Sequence, residues 1–215
     1  YITIMNIKLN IPETLKEVTL SQYQKWVKII DEEELSSFFQ QKMIEIFCSS
    51  DLKAILQMKV KDVDEVTTHI DNLFKEKPVF VPTFKLGEIE YGFIPKLDEM
   101  TFGEYIDLDS YLGEWDTMNK AMSVLFRPIV HKRKGKYIIE DYEGSDKFDL
   151  SQMPLDIVMG AVFFFVHLRE ELTNSILSYL KTQDTVEIPQ DLKDSLQNGI
   201  GTLAYTDLLR ATLQN

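Results

Sequence analysis

MPLDIVMGAVFFFVHL, Met153 to Leu168, sets the tightest limit on what this chain can fold into. Ten consecutive residues, Ile157 to Val166, are apolar, about half of what an apolar membrane crossing needs. Asp156 stands before the run and His167, Arg169, Glu170 and Glu171 stand after it. Charge at both ends argues for a buried helix in a soluble protein, or one waiting for a partner. The segment is apolar around much of a helix circumference, which demands central burial or contacts on more than one side. Phe163, Phe164 and Phe165 cannot all face one neighbour, so they are candidates both for core and for an assembly interface. Pro154 is tolerated in a first turn, and the pattern predicts a helix from about Met153 or Pro154 to Lys181.

A chain of 215 residues, 44% of them hydrophobic, has room for one sizeable core, or a core with a small appendage. Its formal charge of -12 makes the average surface repel nucleic acid and anionic membrane. Free-duplex binding is not expected. A single Cys48 allows no internal disulfide, and three histidines with no second cysteine do not make a zinc knuckle or finger. That chemistry is consistent with a reducing compartment. The opening YITIMNIKLNIP alternates too much, with too little positive charge, to resemble a signal peptide.

Along the chain, Ile2 to Leu9 alternates as a strand does, and Pro12 ends it. Thr19 is placed to cap a helix carrying Leu20, Tyr23, Trp26, Val27 and Ile30. DEEEL, from Asp31, opens a second helix with Leu35, Phe38, Phe39, Met43, Ile44 and Phe47, acids at its positive end. A third is expected over about Asp64 to Lys75, with Val63, Val66, Ile70 and Phe74 inward. Val79 to Leu86 and Glu88 to Ile94 read as a hairpin around Gly87, and Pro82 puts the first strand at an edge or bulge. Thr101 and Glu104 form a capping box, and a further helix is expected over Glu114 to Phe126, stopped by Pro128. Ile129 to Tyr142 reads as a second hairpin that turns at the basic KRKGK. The tail holds a short helix near Gln190 to Leu196 and an amphipathic segment from Leu203 to Leu213. Helical clusters interrupted by hairpins, without regular strand and helix alternation, favour α+β. The expectation is a mainly helical single domain over residues 1–182, with an N-terminal strand, two β-hairpins and a C-terminal helical arm over 183–215.

Chemistry is sought first in TFGEYIDLDSYLGEWDTMNKAM, which holds five carboxylates: Glu104, Asp107, Asp109, Glu114 and Asp116. A calcium loop starting at Asp107 finds Asp109 at its third position, but Tyr111, Leu112 and Met118 where an oxygen ligand, a glycine and an acid are needed. A metal-assisted hydrolase using this segment is the remote enzymatic reading, and it requires at least two of Glu104, Asp107 and Asp109 to converge. Capping explains more. Glu104 serves a cap, Asp109 suits the cap of a following turn, and Glu114 and Asp116 suit the next helix start, which leaves Asp107 unexplained. Tyr105, Ile106, Leu108, Tyr111, Leu112, Trp115 and Met118 are then expected to join two short helices to the core.

His167 follows Asp156 by eleven residues, on the same helix face but about 16 Å away along the axis, too far for a dyad. His69 has Glu65 one turn before it, the spacing of an ordinary surface pair. Cys48 lies at a helix end, away from the activating start, and neither a GxSxG elbow nor a phosphate loop is present in the sequence. No catalytic residue, cofactor, metal site or small-molecule substrate is assigned. The strongest local departure from the global charge is HKRKGK, where Lys132, Arg133, Lys134 and Lys136 suit an acidic surface on another copy or, more weakly, packaged nucleic acid. Leu203, Leu208, Leu209 and Leu213 of the arm suit docking on the chain's own domain or on a partner.

EYIDLDSYLGEWDTMNKAMSVLFRPIV, YIIEDYEG and MPLDIVMGAVFFFVHL, in that order over roughly residues 100 to 180, resemble a group of uncharacterised virion or assembly proteins of tailed bacteriophages, particularly the crAss-like phages. The resemblance implies a structural, packaged or assembly role without an active site. It implies phage virion proteins or copies of the chain itself as partners. The implied location is the virion, with the bacterial host cytoplasm during assembly. A head or tail component, a packaged cargo protein and a transient assembly chaperone all fit.

Overall fold

The computed structural model describes residues 9–30 and 37–182. It is a mixed α+β fold, mostly helical, with a four-stranded antiparallel sheet that does not close into a barrel. Two compact units divide it: residues up to Lys77 together with Ser151–Asp156, and Pro78–Leu150 together with residues from Ile157 on. The strand expected at Ile2 to Leu9, the acidic helix start at Asp31 and the whole of 183–215 lie outside the described residues, save Leu9, which is in no strand.

The first unit is helical: α1 Leu20–Ile30, α2 Ser37–Phe47, α3 Leu52–Ile55 and α4 Val60–Phe74. Thr19 caps α1 as expected. Its hydroxyl accepts from the Gln22 amide at 3.2 Å while Gln22 Oε1 accepts from the Thr19 amide at 2.9 Å. The Leu20 and Ser21 amides, which no intrahelical carbonyl can reach, donate to the carbonyls of Met153 and Ser151 at 2.9 and 2.8 Å. α4 begins four residues before the expected Asp64, and α3, capped by Asp51 on the Ala54 amide at 2.7 Å, was not anticipated. The core is aromatic. Trp26 meets Phe39 and Phe47 edge-on at 5.9 and 5.7 Å, and Phe74 meets Tyr23 and Phe47 at 5.5 and 5.1 Å.

The second unit carries the sheet, in order β1 Thr83–Leu86, β2 Ile89–Phe93, β3 Phe126–Arg133, β4 Lys136–Ile139. Between β2 and β3 run α5 Phe102–Tyr111 and α6 Met118–Leu125. The expected helix through Phe126 is corrected: a short 3-10 turn, Trp115–Thr117, leads into α6, which ends at Leu125, and Pro128 lies inside β3 opposite Tyr91. Proline fits there for a geometric reason. The Ile94 amide bonds the Leu125 carbonyl at 2.9 Å, so Phe93 and Phe126 form a non-hydrogen-bonded pair. Two residues on, Tyr91 and Pro128 repeat that pairing, and β2 makes no demand on the missing N–H. The Gly87 hairpin forms with β1 at the sheet edge, and Pro82 immediately precedes β1.

The last described helix, α7 Leu155–Thr182, matches its expected span closely. Met159, Gly160, Ala161 and Val162 are buried, whereas Phe163 to Val166 are half-buried. Gly160 is required by close approach: a Cβ there would lie 2.6 Å from the Val79 carbonyl oxygen. Phe164 stacks on Phe80 at 4.7 Å and Phe165 leans on Phe93 at 6.1 Å, so these two half-buried rings pack within their own unit.

Candidate functional site

α5 is held by polar chemistry on the side where a helix ordinarily places apolar residues. Thr101 and Glu104 form the expected capping box: the Glu104 amide donates to the Thr101 hydroxyl at 3.3 Å and Glu104 Oε2 accepts from the Thr101 amide at 2.6 Å. The other carboxylate oxygen was not anticipated to have a task. Oε1 accepts from Arg127 Nη2 at 2.5 Å, in an ion pair whose side chains are 5% and 7% exposed. Arg127 comes from β3, between Phe126 and Pro128, and its guanidinium also lies over the Tyr142 ring, 5.6 Å from the centroid. Tyr142 in turn donates its hydroxyl to Asp107 Oδ2. Burial and that hydrogen bond together push the Tyr142 hydroxyl pKa above its ordinary value. Asp107, the one acid left unexplained by capping, is therefore the second anchor of α5.

The consequence lies on the opposite side of the helix. At about 100° per residue, Phe102, Tyr105, Ile106 and Asp109 share one face, and Glu104, Asp107, Leu108 and Tyr111 share the other. Phe102 is 76% exposed, Tyr105 56% and Ile106 45%. This corrects the expectation that Tyr105 and Ile106 join the core; Leu108, Trp115 and Met118 are buried as expected. Asp109 is exposed within α5 and caps no following turn. Asp109 faces away from Glu104, and Glu104 and Asp107, which share a face, are engaged by Arg127 and Tyr142. Among the described residues no group of three His, Cys, Asp or Glu side chains is arranged to hold a metal ion.

The basic hairpin forms where expected and gains two residues of definition. Arg133 pairs with Lys136 across a two-residue loop in which Lys134 and Gly135 both have positive φ, 51° and 78°. That is a type I′ turn, whose twist suits the strands it joins. Lys132 is drawn back onto the sheet, its Nζ 2.6 Å from Glu90 Oε1. Arg133, Lys134 and Lys136 are exposed. Tyr137 packs inward over Gly92 and donates to the Phe93 carbonyl at 2.9 Å, so the alternate residues Lys136 and Ile138 face outward. Ile129 pairs with Ile139 and His131 with Ile138, which makes Val130 the extra residue of a β-bulge. Val130 and Ile138, 58% and 59% exposed, add apolar surface beside the cations.

The remaining candidates are dispersed. His69 Nε2 lies 2.9 Å from the Pro12 carbonyl oxygen, which can only accept, so Nε2 carries the proton; Glu65 pairs with Lys61 rather than with His69. His167 is exposed and pairs with Glu171 at 3.3 Å. Cys48 is buried just beyond α2, and burial pushes its thiol up to about 11. Leu203, Leu208, Leu209 and Leu213 lie outside the described residues. No described helix is long and apolar enough to cross a membrane. Searches of protein-family models, curated proteins and solved structures found no match to this chain.

Proposed function

We propose that this chain is a non-enzymatic, virion-associated structural or packaged cargo protein of a tailed bacteriophage, acting through protein-protein contacts. The observation that carries the contact role is the inverted helix α5, which engages Glu104 and Asp107 on its inner side and turns Phe102, Tyr105 and Ile106 out to solvent. Large apolar side chains grouped on an exposed face mark an interaction surface. The resemblance of residues 100 to 180 to phage virion proteins supplies the setting. Glu104 as cap and ion-pair partner, Asp107 as acceptor of the Tyr142 hydroxyl and Asp109 as exposed charge weigh against the hydrolase alternative.

Quantitative mass spectrometry of purified particles tests this reading. A virion component is recovered with the particle in a fixed ratio to the major structural proteins. A chain abundant in infected cells yet missing from mature particles would replace this reading with a transient assembly chaperone.

A further inference from the structure

Two exposed faces of the second unit complement each other. α5 has the sequence FGEYIDLDSY, without Lys or Arg, and its outer face sets the exposed Asp109 beside Phe102 and Ile106. The outer face of the β3–β4 hairpin sets Arg133 and Lys136 beside Val130 and Ile138. Each surface pairs an apolar centre with charge of a single sign, and the signs are opposite. Against a whole-chain charge of -12, the hairpin tip is the strongest basic cluster the sequence holds, so another copy of the chain presents it with an acidic target. We propose that the hairpin of one copy docks on the outer face of α5 of the next, in a head-to-tail contact between copies.

The geometry has a definite consequence for assembly. The two surfaces differ, so the contact is heterologous and a bound pair still offers one free face of each kind; it propagates to a ring or an open chain. The inference rests on reading the protein as a contact component, but it is decided separately. Particle composition decides the virion role, and the mass of the purified chain in solution decides this contact.

Sedimentation equilibrium of the full chain is the test, with two variants. Phe102→Asp with Ile106→Asp spoils α5 and keeps the hairpin. Arg133→Glu with Lys136→Glu spoils the hairpin and keeps α5. All four positions are exposed, and unchanged thermal unfolding of each variant confirms that it folds. The wild type is expected to rise above 25.0 kDa with concentration, and each variant alone to stay at 25.0 kDa. A one-to-one mixture of the variants retains one intact hairpin and one intact α5, and its mass is expected to double and stop there. A wild type that stays monomeric into the hundreds of micromolar overturns the proposal, as does a mixture that stays monomeric, which would indicate a symmetric contact in the wild type. Assembly that survives in the hairpin variant also overturns it. So does a wild type that binds duplex DNA through the hairpin without self-associating, since the cations would then serve phosphate.

Discussion

Arg127 shows how one side chain decides what its neighbours present to solvent. A guanidinium between two buried strand residues must be paired, and Glu104 meets it at 2.5 Å in a site where both are nearly inaccessible. Removing one member of such a pair leaves a buried charge without compensation, at about 3–5 kcal/mol. Arg127→Met is therefore expected to lower unfolding stability by about that much in urea titration, with an unchanged slope. Adding Glu104→Gln removes the stranded charge while keeping an oxygen for the Thr101 amide, so the double variant should be more stable than Arg127→Met alone. If the two losses simply add, the pair is not coupled and the latch is misassigned. The sequence made half of this visible. Glu104 was legible as a cap because the capping box is written in four consecutive positions, whereas its second oxygen answers to a residue 23 positions away.

At the scale of elements, local chemistry was a good guide and long-range pairing was hidden. The two hairpins, the α5 cap and the span of α7 follow from turn residues, caps and periodicity within each segment. Pro128 was read as a helix stop by a sound local rule, but the register against β2 turns its missing N–H away from that strand. The outward face of α5 was illegible for a related reason: Phe102, Tyr105 and Ile106 have core-like spacing, and the Arg127 and Tyr142 contacts turn that stripe away from the core. Two element-level outcomes follow from backbone geometry. Lys134 holds a φ of 51°, which a side chain without local hydrogen-bonding ability adopts at a penalty, so Lys134→Asn is expected to raise stability by up to about 1 kcal/mol. A lower urea midpoint for that variant would contradict the type I′ assignment. Gly160→Ala is expected to cost about 1–3 kcal/mol, because its methyl meets the Val79 carbonyl, part of a backbone that cannot rotate away as a side chain tip would. The size of the loss in thermal unfolding measures how firmly α7 is seated against the Val79–Phe80 segment.

For the whole molecule, several ionisable groups in both units have shifts of the same sign. Burial raises the Cys48 thiol from its ordinary 9.0 to about 11 in the helical unit. In the sheet-bearing unit, burial is the leading cause of raised hydroxyl pKa values at Tyr91, Tyr137 and Tyr142, with the Asp107 bond adding to the effect at Tyr142. A group that holds its proton more tightly when folded contributes stability that is complete below its unfolded pKa and is lost as pH rises through the folded one. For Cys48 that window opens at about pH 9 and runs to about 11; for the tyrosines it opens at about pH 10. Melting temperature is therefore expected to change little on account of these groups between pH 7 and 8.5, and to fall from about pH 9 upward, more steeply above 10. Cys48→Ala should delay the onset of that fall, and Tyr142→Phe should make the limb above pH 10 shallower, since neither replacement has a proton to lose. Each variant must be compared with its own neutral-pH value, because both remove packing or hydrogen-bonding atoms whose loss is independent of pH. Circular dichroism melts at half-unit steps from pH 7 to 11.5 measure both effects. A flat or rising alkaline limb in the wild type would show that the buried thiol and hydroxyls do not govern stability there, and an unchanged limb in Tyr142→Phe would detach Tyr142 from the α5 latch.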